Sequence, residues 1–215
     1  LLGEAFDGIP PVGTKVKGLD IGAGTSCIYP ILGNSIYGWR FVGSEISADA
    51  INHAKVVLNS NPTLKKNIKM RFQKSVGQIF KGLFQADEKF NFTMCNPPFF
   101  SSLQEANSAS AHKIKKLNIN KDKKGHALIP KDQLKNFGGV KSELWCPGGE
   151  TAFINKMIEE SVTVKDQCSW FTTLVSNKAH LDGFYKLIED LKPAEVRTIE
   201  MQHGQKISHL LVWRF

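Results

Sequence analysis

The sequence predicts an α/β fold built on a mainly parallel β-sheet, in one domain that spans residues 1–215. Short apolar segments alternate with segments whose apolar residues recur at helical spacing, and this alternation is typical of βαβ units. The chain has 215 residues, of which 41% are hydrophobic, and this is enough for one sizeable core. The sequence has no run of about 18 apolar residues, the length that a membrane-spanning helix needs. We therefore expect no membrane partner.

In the first half of the chain, four strands are predicted to alternate with two helices. The first strand enters a glycine turn, and the short helix after it accommodates Pro30 in its first turn. Ser47 is a good N-cap for the second helix, which keeps helical apolar spacing up to Asn61-Pro62. The predicted strands, the first of them with its turn, are residues 18–24, 39–45, 68–72 and 90–95.

The stretch from residue 101 to residue 150 interrupts this alternation. It is polar and rich in lysine, and we interpret it as a long insertion at the C-terminal edge of the sheet. Loops of this length inside a compact domain are usually functional or disordered. After the insertion we expect a helix, a strand, a second helix and a final hairpin, at residues 153–162, 168–175, 181–191, and 196–201 with 208–215.

The most informative short motif is Asn96-Pro97-Pro98-Phe99, directly after the fourth predicted strand. Neither proline has an N–H to donate, so backbone carbonyls remain free to accept a hydrogen bond beside the Asn96 side chain. Two such acceptors could hold a planar exocyclic amine with its lone pair projecting, while Phe99 stacks on the ring. We therefore predict a catalytic role for all four residues. The alternative is a simple turn, since Asn and Pro are common turn formers.

A second motif, Asp20-x-Gly22-x-Gly24, follows the first strand, and Glu45 ends the second strand. Glycines allow close backbone approach to a nucleoside, and an acidic residue some 20 positions later takes the ribose hydroxyls. Cys27 replaces the third glycine of the dinucleotide pattern, and Asp20 can meet an ammonium group. Both features favour S-adenosylmethionine over NAD. The alternatives are a helix-capping carboxylate for Asp20 and an ordinary surface charge for Glu45.

The charge distribution points to a polyanionic partner. The net charge is +8, and residues 112–135 hold eight lysines against two aspartates. A solvated loop without a partner is the alternative, although basic segments can also become ordered on RNA. The RNA-binding residues that we predict are Lys113, Lys115, Lys116, Lys121, Lys123 and Lys124.

The four cysteines lie far apart in the sequence, and no C-x-x-C pair is present. This spacing argues against a zinc site and against a disulfide framework. It fits reduced thiols in a cytoplasmic protein, so we expect no metal and a cytoplasmic location.

The motifs together resemble the bacterial large-subunit ribosomal RNA adenine-N6 methyltransferase F family, in the same wider group as human methyltransferase-like protein sixteen. The segments that carry the resemblance are residues 20–30, 96–100, Asn136-Phe-Gly-Gly139 and Glu143-Leu-Trp-Cys-Pro-Gly-Gly-Glu150. The resemblance implies a class I, Rossmann-like methyltransferase fold with a seven-stranded sheet whose last strand is antiparallel. It also implies cofactor contacts at Gly22, Glu45, Ser75 and Asn96.

The function that the resemblance implies is methyl transfer from S-adenosylmethionine to N6 of an adenine in large-subunit ribosomal RNA, by a monomer. Family members carry an upstream arginine that meets the methionine carboxylate, and we expect that upstream segment to be absent from this chain. Two alternatives stay open. One is a protein-glutamine methyltransferase, because an amide nitrogen is also planar. The other is an RNA-binding scaffold without catalysis.

Overall fold

The structure is a computed structural model that describes residues 8–108, 111, 144–203 and 206–215, without the side chains of His203 and Lys206. Most of the predicted insertion therefore lies outside the described residues. Within the described ranges, no helix is long and apolar enough to cross a membrane.

Seven strands form in two sheets within the described part of the chain. The first sheet has four parallel strands in the order β3-β2-β1-β4, and the second has three antiparallel strands in the order β5-β7-β6. The C-terminal hairpin, made of β6 and β7, is confirmed. The strand bounds are β1 Lys17–Ile21, β2 Arg40–Glu45, β3 Ile68–Phe72, β4 Phe92–Cys95, β5 Phe171–Val175, β6 Glu195–His203 and β7 Lys206–Arg214.

The prediction of one seven-stranded sheet is wrong, because the regular ladder is interrupted between β4 and β5. The two strands do lie side by side, and Thr93 N donates to the Trp170 carbonyl at 2.8 Å. At the next position, however, the hydrogen bonds between the strands involve side chains instead of two backbone groups. Thr172 N donates to the Thr93 hydroxyl at 3.2 Å, and the Thr172 hydroxyl donates to the Thr93 carbonyl at 2.7 Å. The parallel and antiparallel sheets therefore meet through backbone hydrogen bonds, such as that from Thr93 N, and through the hydroxyls of Thr93 and Thr172.

Five α-helices have both ends among the described residues, and a further helical segment covers residues 103–108. Local signals explain where several of these helices begin. The Ser47 hydroxyl accepts from Ala50 N at the start of α2, which confirms the predicted N-cap, and Pro30 lies in the first turn of α1. The sequence prediction missed α3, which Asn61 caps and in which Pro62 takes the first position. The helix bounds are α1 Ile28–Tyr37, α2 Ala48–Asn59, α3 Pro62–Asn67, α4 Gly149–Ser161 and α5 Leu181–Asp190.

The larger hydrophobic core joins the two sheets to α4 and α5. Phe171 and Trp213, both fully buried, stack with ring centroids 5.7 Å apart, and Ile188 packs into the same cluster. Close packing also determines one residue type in β1. A Cβ on Gly18 would lie 2.5 Å from the Phe41 ring and 2.7 Å from that of Phe92. This packing aligns the parallel strands, so that the residues after their C-terminal ends meet at one edge.

Candidate active site

A cleft of about 520 Å³ opens at the C-terminal edge of the four-stranded sheet. Residues that follow each of the four parallel strands line it, together with residues 145–147 from the chain that precedes α4. Clefts at this edge are where open α/β sheets bind ligands. Among the predicted site residues, the cleft lining includes Gly22, Gly24, Glu45, Asn96 and Pro98.

The glycine turn leaves open space at the cleft. Gly22 and Gly24 have φ of +71° and +64°, a backbone conformation that favours glycine. Gly22 N donates to the Ser44 carbonyl at 3.0 Å, which fixes the turn against β2. A Cβ on Gly22 would meet no atom within 4 Å, so a side chain there would occupy cleft volume instead of clashing with protein. The turn can therefore bring its backbone close to a ligand.

Glu45 is buried, so the surface-charge alternative for it is wrong. Its Oε1 accepts from Ile46 N at 2.8 Å and Ser47 N at 3.0 Å, and its Oε2 accepts from Gly24 N at 3.1 Å. An ionised carboxylate has about four acceptor sites, so Oε2 retains capacity for one more donor. Glu45 therefore joins the glycine turn to the end of β2 and still presents an acceptor to the cleft.

Asp20 lies beneath the cleft and is almost fully buried. Neither carboxylate oxygen has a hydrogen-bond partner among the described residues, so the helix-capping alternative finds no support. Burial, and secondarily the negative charge of Glu45, raises the pKa of Asp20 well above its usual range. A buried carboxyl group without a partner is costly, and an adjacent cation would relieve that cost. Asp20 does not line the cleft, so its predicted contact with an ammonium group remains a prediction.

The turn formed by residues 96–99, called the Asn96 turn below, is only partly inside the cleft. Asn96 is exposed and lines the cleft with half-buried Pro98. Pro97 is buried beneath them, and Phe99 is 40% exposed outside the cleft lining. The backbone after β4 remains irregular through Phe99, so its carbonyls are not used by a helix that begins at once. The structure therefore places Asn96 in the same cleft lining as the glycine turn, whereas Pro97 and Phe99 are not part of that lining.

Ser75 is exposed and does not line the cleft, so its predicted cofactor contact remains a prediction. Its N–H donates to Gln73 Oε1 at 3.0 Å. Gln73 is buried, lines the cleft and was missed by sequence reasoning. Its Nε2 donates to the Ile79 and Lys81 carbonyls. Gln73 directly follows β3, at the same edge of the sheet as Glu45, and this position in the sequence could have identified it as a candidate site residue.

Glu160 of α4 also shapes the cleft wall and was missed. Its Oε2 accepts from the N–H groups of Ile79, Phe80 and Lys81 at 3.0, 2.7 and 3.2 Å, and Ile79 lines the cleft. Glu160 sits in the polar pattern of an amphipathic helix, so no sequence signal distinguishes it from a solvated charge.

The cysteines, candidate metal ligands and predicted RNA-binding lysines remain to be placed relative to this site. All four cysteines are free thiols, and no group of three or more His, Cys, Asp or Glu side chains in the described ranges could hold a metal ion. The predicted RNA-binding lysines lie outside the described residues; they are Lys113, Lys115, Lys116, Lys121, Lys123 and Lys124.

Known proteins resemble this chain over its whole length. A family model described as RNA methyltransferase matches residues 1–215. The "Ribosomal RNA large subunit methyltransferase F" of Photobacterium profundum is 46% identical over 223 residues, which cover 100% of this chain and 66% of that protein. The chain thus spans slightly less than two thirds of the length of this relative.

Solved structures of a human protein share the fold. The catalytic domain of human METTL16 in complex with the MAT2A 3'UTR hairpin 6 matches 93% of this chain and 64% of that chain, with 27% identity and a TM-score of 0.71. The N-terminal domain of human METTL16 in complex with SAH matches 93% of this chain and 61% of that chain, with a TM-score of 0.65. At 24% identity, the second likeness concerns the fold alone.

Proposed function

This chain belongs to the RNA methyltransferase family, and on that premise we propose that it transfers a methyl group from S-adenosylmethionine to the exocyclic N6 of a specific adenine in large-subunit ribosomal RNA. The family resemblance predicted from the sequence is confirmed. The observation that carries the proposal is the meeting, in one cleft, of a glycine turn with a ribose acceptor and the Asn96 turn. The name of the bacterial relative and the RNA bound to the human protein support the RNA substrate.

The order of the strands supports a class I, Rossmann-like methyltransferase fold. Four parallel strands lie beside three antiparallel ones, and β7 runs antiparallel to both of its neighbours. The glycine turn follows β1, and the acceptor for the ribose ends β2, the arrangement that nucleoside-binding α/β sheets use.

The residues around the cleft fit S-adenosylmethionine, which when bound supplies a methyl group on a positively charged sulfur. Glu45 Oε2 accepts from a ribose hydroxyl through its remaining capacity. Gly22 lets the backbone approach the nucleoside. An ammonium group close to the unpartnered carboxyl group of Asp20 would favour its ionised form, which burial otherwise disfavours, and the two would then form an ion pair.

The Asn96 turn holds the target amine. The Asn96 side-chain oxygen and the Pro97 carbonyl each accept one N–H of the adenine amino group, and this directs the nitrogen lone pair toward the methyl group. Placing the reacting atoms in line accounts for much of the rate, since orientation alone is worth several powers of ten. The nitrogen releases one of its protons after methyl transfer, and because Asn96 is exposed, water can take it.

The cleft also accommodates the glutamine alternative, because the same two acceptors can hold a planar amide. The lysines of residues 112–135 favour RNA, since a glutamine substrate gives no reason for a basic segment. We further propose that the protein acts as a monomer in the cytoplasm, where its four thiols stay reduced.

The test uses purified protein, S-adenosylmethionine with a labelled methyl group, large-subunit ribosomal RNA and cell protein in parallel. We expect the label in RNA, as N6-methyladenosine at one position, when nucleosides and fragments are analysed by mass spectrometry. Asn96→Ala serves as the inactive control. Label in protein glutamine, or no label in either pool, would refute the proposal.

A further inference from the structure

Residues 144–150, the described end of the Glu143–Glu150 block, lie directly beside the Asn96 turn. Phe100 N donates to the Leu144 carbonyl and Cys146 N donates to the Phe100 carbonyl, both at 3.1 Å. Phe100 and Trp145 thus form a parallel β-bridge. Because Phe100 directly follows Phe99, the backbone of Trp145 has a defined position relative to the Asn96 turn.

The turn that follows Trp145 is closed and packed. Gly149 N donates to the Cys146 carbonyl at 2.9 Å, and the Cys146 thiol donates to the Gly149 carbonyl at 3.3 Å. Gly149 has a φ of +63°, and a Cβ on it would lie 3.3 Å from Ser101 N and 3.4 Å from the Phe100 carbonyl carbon. Because residue 149 is a glycine and has no Cβ, this turn can lie close to the backbone of Phe100 and Ser101.

Glu150 ties the same segment to the other sheet. This buried side chain accepts from Ser176 N, just after β5, at 2.6 Å through Oε1. Its Oε2 lies 3.2 Å from His180 Nδ1. Trp145 is thus held between an anchor on the Asn96 turn and an anchor at the end of β5.

The Trp145 side chain faces the cleft. It is half-buried and lines the cleft together with Asn96 and Pro98, whereas the exposed Phe99 does not. Within the described ranges, no aromatic ring stacks on the Trp145 indole, and Trp145 belongs to neither core cluster. Phe153, another aromatic residue of the lining, packs against the core instead. Core packing therefore does not account for an indole at position 145.

Resting on the proposed function, we propose that Trp145 provides, inside the cleft, the aromatic face on which the target base stacks. A base that reacts must leave its own stack, and an aromatic protein side chain replaces part of the stacking that it loses. An indole held by backbone bonds next to the amine acceptors restricts the base plane, so that the exocyclic amine meets Asn96. Phe99 keeps its predicted stacking role at the open rim.

The test compares Trp145→Phe with Trp145→Leu, since both retain apolar volume and only the first retains a ring. The probe is an RNA oligonucleotide centred on the adenine that the wild-type protein methylates. We expect Trp145→Leu to lower kcat/KM for this RNA by about 5- to 150-fold, the range of one lost base–aromatic stack. Trp145→Phe should stay within about fivefold of wild type.

A matched probe with an abasic target position separates stacking from a structural effect. Wild type and Trp145→Phe should bind the abasic RNA more weakly than the intact RNA, and this difference should be clearly smaller in Trp145→Leu, which keeps only the contacts of Phe99 and the Asn96 turn with the base. In a third probe with 2-aminopurine at the target position, wild type and Trp145→Phe should quench its fluorescence more strongly than Trp145→Leu does. Calorimetry should show a smaller change in affinity for S-adenosylmethionine than in affinity for the intact RNA in both variants.

Equal kcat/KM for the Phe and Leu variants would overturn the inference, as would a Leu variant that distinguishes intact from abasic RNA as strongly as wild type does. Both results would leave wild-type RNA methylation intact, so the proposed function would survive them. A wild-type protein that methylates no RNA would instead refute the proposed function, and this inference with it.

Discussion

Replacing Glu45 with Gln tests whether this residue binds ribose or only holds the protein together. The amide keeps one oxygen, which can continue to accept from Ile46 N and Ser47 N. An NH₂ group then replaces the oxygen that accepts from Gly24 N at 3.1 Å. The variant therefore loses one buried hydrogen bond and, if the assignment is right, the acceptor for the ribose hydroxyl.

Two magnitudes follow from this geometry. A buried N–H left without an acceptor costs about 1–3 kcal/mol, so the free energy of unfolding should fall by that amount. A hydrogen bond to a charged group contributes about 1.5–3 kcal/mol, so the dissociation constant for S-adenosylmethionine should rise about 10- to 150-fold. Glu45→Ala should weaken cofactor binding at least as much, and it also leaves all three N–H groups without their acceptor.

Calorimetric titration with S-adenosylmethionine and urea unfolding measure the two effects separately. Glu88→Gln is a matched control, because Glu88 is also a nearly buried, multiply bonded carboxylate but does not line the cleft. It should lower stability and leave cofactor affinity unchanged. If Glu45→Gln loses stability yet binds the cofactor within about twofold of wild type, the ribose assignment is wrong and Glu45 is purely structural.

Three further predictions concern turnover, RNA affinity and acid stability. Asn96→Ala should reduce kcat about 100-fold or more with a smaller loss of cofactor affinity, and near-normal turnover in a methylation assay would contradict the amine-holding role. Desolvation opposes the ionised form of Glu88, but hydrogen bonds from Arg71 and Lys17 dominate and lower its pKa from 4.5 to about 2. Because the folded-state pKa is depressed, this stabilisation is present above pH 4.5 and disappears as the pH falls to about 2. Glu88→Gln should therefore flatten the pH dependence of urea unfolding in that window, and an unchanged curve would count against it. Replacing six lysines with Ser should weaken RNA binding and flatten the slope of log affinity against log salt by about 2, provided that at least three of them touch phosphate. A solvated loop without a partner predicts the same slope as wild type. The six are Lys113, Lys115, Lys116, Lys121, Lys123 and Lys124.

The sequence by itself determined the features that depend on local backbone chemistry. Ser47 caps α2 as predicted because a hydroxyl reaches an N–H three residues away. Pro97 and Pro98 prevent an immediate helix because proline has no N–H and a fixed φ. The spacing of Asp20, Gly22 and Glu45 predicted their common edge because parallel strands that follow one another align their C-terminal ends.

Only the tertiary structure decided which groups that are distant in sequence form hydrogen bonds with one another. Glu160 accepts from Ile79 N across 81 positions of sequence, and the Phe100–Trp145 bridge joins the two segments of the site. The exchange between Thr93 and Thr172 divides the strands into two sheets. Most buried polar groups find a hydrogen-bond partner, but the sequence between two partners does not specify which pair will meet. That choice depends on how the helices and sheets pack. The three hydrogen bonds to the Glu45 carboxylate and the position of Trp145 were therefore not predicted.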